Sequence, residues 1–193
     1  LVNSAIVVLF IENTGEFHDT VSAYDVAVFQ LFWKQTKATL YINTSGETLA
    51  KHGYRKLPGQ APMLEALAAG TILSTKWDHA TPFINPMCGS GTLAIEAALI
   101  ATNRRPGLYR TNYAFMHVQG YDENVYVKED ALLEEQIVDV TDLKIIATDY
   151  SPKAIDNAKK NAIAAGVQKL IEFAVCDFAD TEVPADAQGI MMV

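Results

Sequence analysis

The chain has 193 residues, half of them apolar, and its 15 basic and 23 acidic side chains give a formal charge of −8 at pH 7. That length allows one full domain with a sizeable core, or a domain joined to part of another. The acidic balance excludes a surface that coats nucleic acid generally, so any such contact must come from a local patch or a partner domain.

From the N-terminus, Ala5–Ile11 reads as a strand and is followed by a polar turn over residues 12–19. The spacing Val26, Phe29, Phe32 and Trp33 fits one helical face, which predicts a core-packing aromatic stripe. Ala38–Asn43 alternates as a strand and ends at Thr44-Ser45-Gly46. A basic, loop-like segment, Lys51–Lys56, leads to Pro58-Gly59. Pro62 suits a helix start, and Met63, Leu64, Leu67, Ala68, Ile72 and Leu73 mark an amphipathic helix ending near Trp77. A strand stopping at Asn85-Pro86 then runs through a two-glycine turn into an apolar helix from Leu93 to Asn103. An irregular stretch with Pro106-Gly107 precedes an acidic helix over residues 124–138, whose charges read as a solvated face. Strand Leu143–Thr148, helix Pro152–Ala165 with Gly166 as its stop, strand Leu170–Val175 and a buried strand from Ile190 complete the order. Strands that alternate with helices and are apolar on both faces predict an α/β fold with a parallel central sheet.

Other functions find little support. Cys88 and Cys176 are too far apart to suggest a disulfide framework, and with His18, His52, His79 and His117 they form no metal-ligand spacing, so no metal is expected. No apolar run approaches the roughly 20 residues of a membrane span, and no secretion signal is present, which makes cytoplasm the expected compartment. Both ends read as strands, so the sequence is expected to be a segment of a larger protein.

The chemistry gathers at three strand ends. Gly89 and Gly91 let the backbone approach a ligand, and the helix behind them presents unpaired N–H groups and a positive dipole end. Asp149, followed by Tyr150, ends the next strand, where a carboxylate can accept from ribose hydroxyls; its alternative role is capping the helix at Pro152. Asp177 with Phe178 follows the third, suited to an adenine amino group and its ring, or else is simply a loop aspartate. A dinucleotide site wants its acid about 20 residues past the glycines. Asp149 lies far beyond that, which makes a nicotinamide enzyme the weakest reading.

Asn85-Pro86-Met87-Cys88-Gly89-Ser90-Gly91-Thr92 followed by Ile95-Glu96-Ala97-Ala98 resembles the cofactor motif of the THUMP-associated RNA methyltransferases. That family includes bacterial guanine-N2 methyltransferases of large-subunit ribosomal RNA, and some members carry the label N6-adenine-specific DNA methylase. The resemblance extends through Asn43–Leu49, Lys51–Arg55, Ala61–Ala69, Asn103–Arg110, and Asp149-Tyr150-Ser151-Pro152 with Ala154, Ile155, Ala158 and Asn161, covering the chain from about Tyr41 onward. It implies a Rossmann-like class I methyltransferase fold, incomplete at the C-terminus and preceded by part of another domain. Residues 1–40 would be a partial segment, the tail of a THUMP RNA-binding domain. Residues 41–80 would be a linker and helix, and residues 81–193 the cofactor half.

The implied cofactor is S-adenosylmethionine. Asn85 and Met87 through Thr92 would line its methionine portion, Asp149 and Tyr150 the ribose, and Asp177 and Phe178 the adenine, with Pro62 and Glu65 beside the methionine carboxylate. The implied partner is RNA, with no membrane. Lys51, Tyr54, Arg55 and Lys56 would combine charge and stacking against it, and Arg104, Arg105 and Arg110 form a second basic cluster. Both clusters equally suit ordinary surface charge, or arginines bridging carbonyls around Pro106-Gly107.

Two departures stand out. Family members usually have Asp where this chain has Asn85, which removes a negative charge near a sulfonium. The family's Asn/Asp-Pro-Pro-Tyr loop, which grips the target amine and stacks on the extruded base, occurs nowhere in the sequence. It is expected after Val193, so no catalytic residue is expected in this chain. Alone, the chain is expected to bind S-adenosylmethionine weakly or not at all and to transfer nothing. Methyl transfer to an exocyclic base nitrogen, guanine N2 of ribosomal RNA, is the expected parent activity. An adenine-N6 DNA methyltransferase and a non-catalytic cofactor- or RNA-binding module are the alternatives.

Overall fold

The computed structural model describes residues 29–59, 62–184 and 189–193. The expected strand at Ala5–Ile11 lies outside them. The described chain opens with an antiparallel hairpin, β1 (Phe29–Lys34) and β2 (Lys37–Ile42), paired in register from Phe29 opposite Ile42 to Lys34 opposite Lys37. This overturns the expected aromatic helix face. Cross-strand pairing with β2 outweighs a spacing that happened to satisfy the helical period, and Gln35 at φ 53° makes the turn. Nor is the stripe buried: Phe32 is 60% and Trp33 65% exposed.

The remaining elements are α1 (Glu65–Leu73), β3 (Phe83–Asn85), α2 (Thr92–Ala101), α3 (Glu123–Glu134), β4 (Ile145–Asp149), α4 (Pro152–Ala164), β5 (Ile171–Val175) and β6 (Ile190–Met191). Helix α1 begins at Glu65 rather than at Pro62, with Leu64 as its N-cap. Strands β5-β4-β3-β6 form one sheet in that order, parallel throughout. The chain moves outward from β3 through β4 to β5, then returns to the other side of β3 as β6. The order therefore reverses beside β3, and in such sheets ligands sit at the carboxyl ends of the strands next to that reversal. The sequence predicts a buried strand from Ile190; among the described residues it pairs only with β3, and Met191 is 55% exposed.

Helices α1, α2 and α4 pack in succession, α1 on α2 and α2 on α4. Their core is small and close: Ala68 and Ile72 of α1, Ala94, Ile95, Ala97 and Ala98 of α2, and Ile155, Ala158 and Ala162 of α4, over Phe83, Ile145 and Ala147 of the sheet. Alanine dominates the two interfaces because backbones can approach closely only where side chains are short. Ser151 caps α4 through its side chain and Pro152 occupies the first turn, so this helix starts where its sequence says it should. By contrast α3 buries no residue and meets the body through Arg105–Asp130 and through Tyr126, whose ring lies 6.0 Å from that of Phe115; just past the helix, Asn103 Nδ2 donates to the Gln136 carbonyl at 3.0 Å.

Candidate functional site

The turn between β3 and α2 alternates hands. Met87, Gly89 and Gly91 have φ of 58°, 55° and 83°. At Gly91 a side chain is excluded twice over, by that φ and by Ala158, whose Cβ lies 3.0 Å from where a Cβ would stand. Gly89 is the opposite case, with nothing within 4 Å of that position, so its backbone faces open space. Met87 holds a left-handed conformation that costs a non-glycine residue roughly 1–2 kcal/mol. The turn is tied to its neighbours: Cys88 N–H donates to the Thr148 carbonyl at 2.8 Å, and Gly91 N–H to Cys88 at 2.8 Å.

Asp149, at the end of β4, is 7% exposed. Its Oδ2 accepts from Gly89 N–H at 3.0 Å and its Oδ1 from Ser151 N–H at 2.9 Å. Ser151, not Asp149, accepts from Ala154 N–H and caps α4. The Asp149 carbonyl accepts from Cys176 N–H at 3.2 Å, which sets Asp177 at the adjoining strand end. There Asp177 Oδ1 accepts from Ala179 N–H, and Phe178 stands 60% exposed, as Tyr150 does at 78%. The structure thus brings residues 85–92, Asp149 and Asp177 to neighbouring strand ends.

Asn85 is 1% exposed, and its Nδ2 donates to the Met192 carbonyl at 2.8 Å. Its Oδ1 is buried without a partner among the described residues. A buried acceptor left unpaired costs about 1–3 kcal/mol, and such an orphan at a strand end beside a glycine turn marks a place for a donor. No side chain caps α2, whose N-cap is Gly91, so its first N–H groups are also open to a ligand. Burial, followed by the Asp149 charge, pushes the Cys88 thiol up to about 12, which keeps it protonated and inert at the turn. Two open grooves, about 380 and 560 Å³, run along the hairpin and its following loop and do not border the turn. What marks the turn is its orphan acceptor and open backbone, not a cavity.

The basic segment before α1 turns inward. Tyr54 is 1% exposed and donates to Glu96 Oε1 at 2.8 Å; burial, then the charge of Glu96, raises its phenol so that it stays a donor. It is not available to stack on a base. Arg55 donates to Thr92 Oγ1 at 3.1 Å and to the Met63 carbonyl, and faces Glu65 at 3.5 Å, with both side chains nearly buried. Those contacts commit its guanidinium to the fold and draw Glu65 toward the turn. Only Lys51 and Lys56 stay exposed, Lys51 paired with Glu47. Pro62 lies on the surface. In the second cluster Arg105 pairs with Asp130, and Arg110 bonds the Ser45 and Glu47 carbonyls while lying over the Tyr113 ring at 4.4 Å. Arg110 does bridge carbonyls, though not those around Pro106-Gly107.

Sequence reasoning missed the posts that hold this segment. His52 Nδ1 lies 2.8 Å from Glu96 Oε1, both buried, and Asn161 bonds Lys56, Leu57 and Ser90. A signal existed. Glu96 is the one charged residue in the apolar run of α2, and Asn161 sits among the alanines of α4, positions where a polar group must be satisfied.

A parallel sheet with a left-handed glycine turn and an acid at the next strand end defines a Rossmann-like domain of the class I methyltransferase kind. Residues 52–192 match the family UPF0020, RMKL-like, methyltransferase domain, and the chain belongs to that family. It is similar to the ribosomal RNA large subunit methyltransferase K/L of Buchnera aphidicola subsp. Acyrthosiphon pisum (strain APS), 42% identical over 142 residues that cover 72% of this chain and 20% of that protein. Among solved structures it is similar to one described as a possible methylase from Clostridium difficile 630 (TM-score 0.81, 33% identity, 98% of this chain and 49% of the other). It is also similar to SMU.472, solved in complex with SAH (TM-score 0.77, 30% identity, 86% and 42%). The chain spans about a fifth of the length of the curated relatives it matches. No helix among the described residues is long and apolar enough to cross a membrane.

Proposed function

We propose that residues 85–92 with Asp149 and Asp177 bind S-adenosylmethionine, and that the chain is the cofactor-binding part of a methyltransferase acting on RNA. The unpartnered Oδ1 of buried Asn85 carries this reading. A neutral amide oxygen there can accept from the cofactor's α-ammonium. The open backbone at Gly89 leaves room for the methionine chain. Asp149 keeps a second lone pair on each oxygen for the ribose hydroxyls, since each accepts one bond from the protein. Asp177 and the exposed ring of Phe178 are assigned to the adenine.

When bound, S-adenosylmethionine supplies a methyl group on a sulfonium, an electrophile needing no metal. This chain's part is to fix that group's position, and placement alone carries a large share of such a barrier. No side chain at the turn is assigned as a base: Cys88 is held protonated, and Asp149 is committed to Gly89 and Ser151. The grip on the target base is assigned to sequence beyond this chain. Likeness to the K/L relatives supports ribosomal RNA as the target, and the resemblance carried by residues 85–98 supports an exocyclic base nitrogen in it, guanine N2 foremost. Binding by the chain alone is proposed to be weak, and methyl transfer by it alone is not expected.

Thermal unfolding with added ligand tests the cofactor. S-adenosylhomocysteine is expected to raise the midpoint and NAD to leave it unchanged. Stabilisation by NAD and not by S-adenosylhomocysteine overturns the reading.

A further inference from the structure

We propose that Asn161, on α4 and outside the ligand-facing residues, is a positioning residue that fixes the cofactor turn; this rests on the assignment of that turn to S-adenosylmethionine. Asn161 is wholly buried and its carboxamide is fully used. Oδ1 accepts from Lys56 N–H at 3.1 Å and Leu57 N–H at 3.0 Å, while Nδ2 donates to the Leu57 carbonyl at 2.9 Å and the Ser90 carbonyl at 3.1 Å. Two amide protons need an acceptor and two carbonyls need donors, so the amide has one satisfying orientation and no isosteric substitute.

Those four bonds join three pieces that sequence holds far apart: the segment before α1, the middle of the glycine turn, and α4. One turn of α4 earlier, Ala158 packs against Gly91 so closely that a Cβ on Gly91 would stand 3.0 Å from it. Helix α4 therefore meets the turn twice, by contact at Gly91 and by a hydrogen bond at Ser90. Gly89 and Gly91 make the turn permissive; among the described residues Asp149 holds it at Gly89 and Arg55 at Thr92, which leaves Ser90 between them. Asn161 supplies the restraint at Ser90. The same amide also links the turn to residues 56–57, whose upstream neighbours His52 and Tyr54 are anchored on Glu96.

Asn161→Asp keeps the acceptor and loses both donors, setting an oxygen against two carbonyls. Calorimetric titration with S-adenosylhomocysteine, at a temperature where each protein is folded, is expected to show affinity falling about tenfold, the scale of one or two lost hydrogen bonds. Val167→Ala, a core truncation beyond the far end of α4, serves as the control and is expected to leave affinity within about twofold. Equal losses in both variants, or no loss in Asn161→Asp, overturn the proposal. If the wild-type chain does not bind S-adenosylhomocysteine, the cofactor reading falls, and this inference with it. Should Asn161→Asp not fold, the wild-type protein decides: S-adenosylhomocysteine is expected to slow hydrogen exchange at the Lys56 and Leu57 amides and not at Glu135 beside α3. Unchanged exchange at both amides overturns the proposal.

Discussion

Tyr41 and Tyr54 lie close together in sequence, yet Tyr41 is 53% exposed on the hairpin and Tyr54 is 1% exposed against Glu96. The two regions they belong to are built differently. In the hairpin, β1 is satisfied by β2 and each strand buries little; such a two-stranded ribbon is marginal without other support. Around the glycine turn, polar groups are satisfied across long stretches of chain: His52 and Tyr54 by Glu96, Gly89 by Asp149, and Leu57 and Ser90 by Asn161. Local pairing tolerates change, whereas pairing at a distance, inside a low-dielectric core, leaves an expensive orphan whenever one partner goes.

The sharpest break of that contrast is Glu96→Ala. It strands the Tyr54 hydroxyl and the His52 ring nitrogen in the core, and the expected loss is about 3 kcal/mol or more by denaturant unfolding. A loss below about 1 kcal/mol would mean the network is incidental. Gly91→Ala comes next. The left-handed φ and the Ala158 contact together predict a loss of roughly 2 kcal/mol and weaker binding of S-adenosylhomocysteine, read by thermal shift with and without ligand.

A smaller effect separates local from distant pairing by pH. Asp78 accepts from the Thr81 and Ala80 amides and the Thr81 hydroxyl on the exposed approach to β3, which lowers its carboxyl from 3.8 to about 2. A depressed folded value stabilises above the ordinary one and is lost as pH falls through the folded one. The difference in midpoint between the wild type and Asp78→Asn is therefore expected in full near neutrality, and expected to shrink between 3.8 and about 2. The smallest effect is Phe32→Ser on the hairpin, within about 0.5 kcal/mol, as for other exposed positions. A loss as large as that of Glu96→Ala would erase the distinction between the regions.

The elements that shape the site were legible because their signals are local. Helix α4 has Ser151, Pro152 and Gly166 at its ends, and the β3 turn carries its glycines in sequence. The Asp149 and Asp177 strand ends could be placed by counting alternating segments. Residues 29–33 misled because aromatic side chains fall on a helical spacing while the backbone pairs as a strand, and pairing is not visible in one segment. Tyr54 and Arg55 misled for a related reason. A basic, aromatic loop suits nucleic acid until its partners Glu96, Glu65 and Thr92 are known to be its neighbours, and those lie at a distance no local pattern reports.

Calorimetric titration of the chain with S-adenosylhomocysteine tests whether the glycine turn and the Asp149 strand end hold the cofactor. Weak but saturable one-to-one binding is expected, with a dissociation constant of about 0.1–1 mM, or about −5.5 to −4 kcal/mol, that weakens further when Asp149 is changed to Ala. No saturable heat at several times that concentration, with the protein folded, would contradict it.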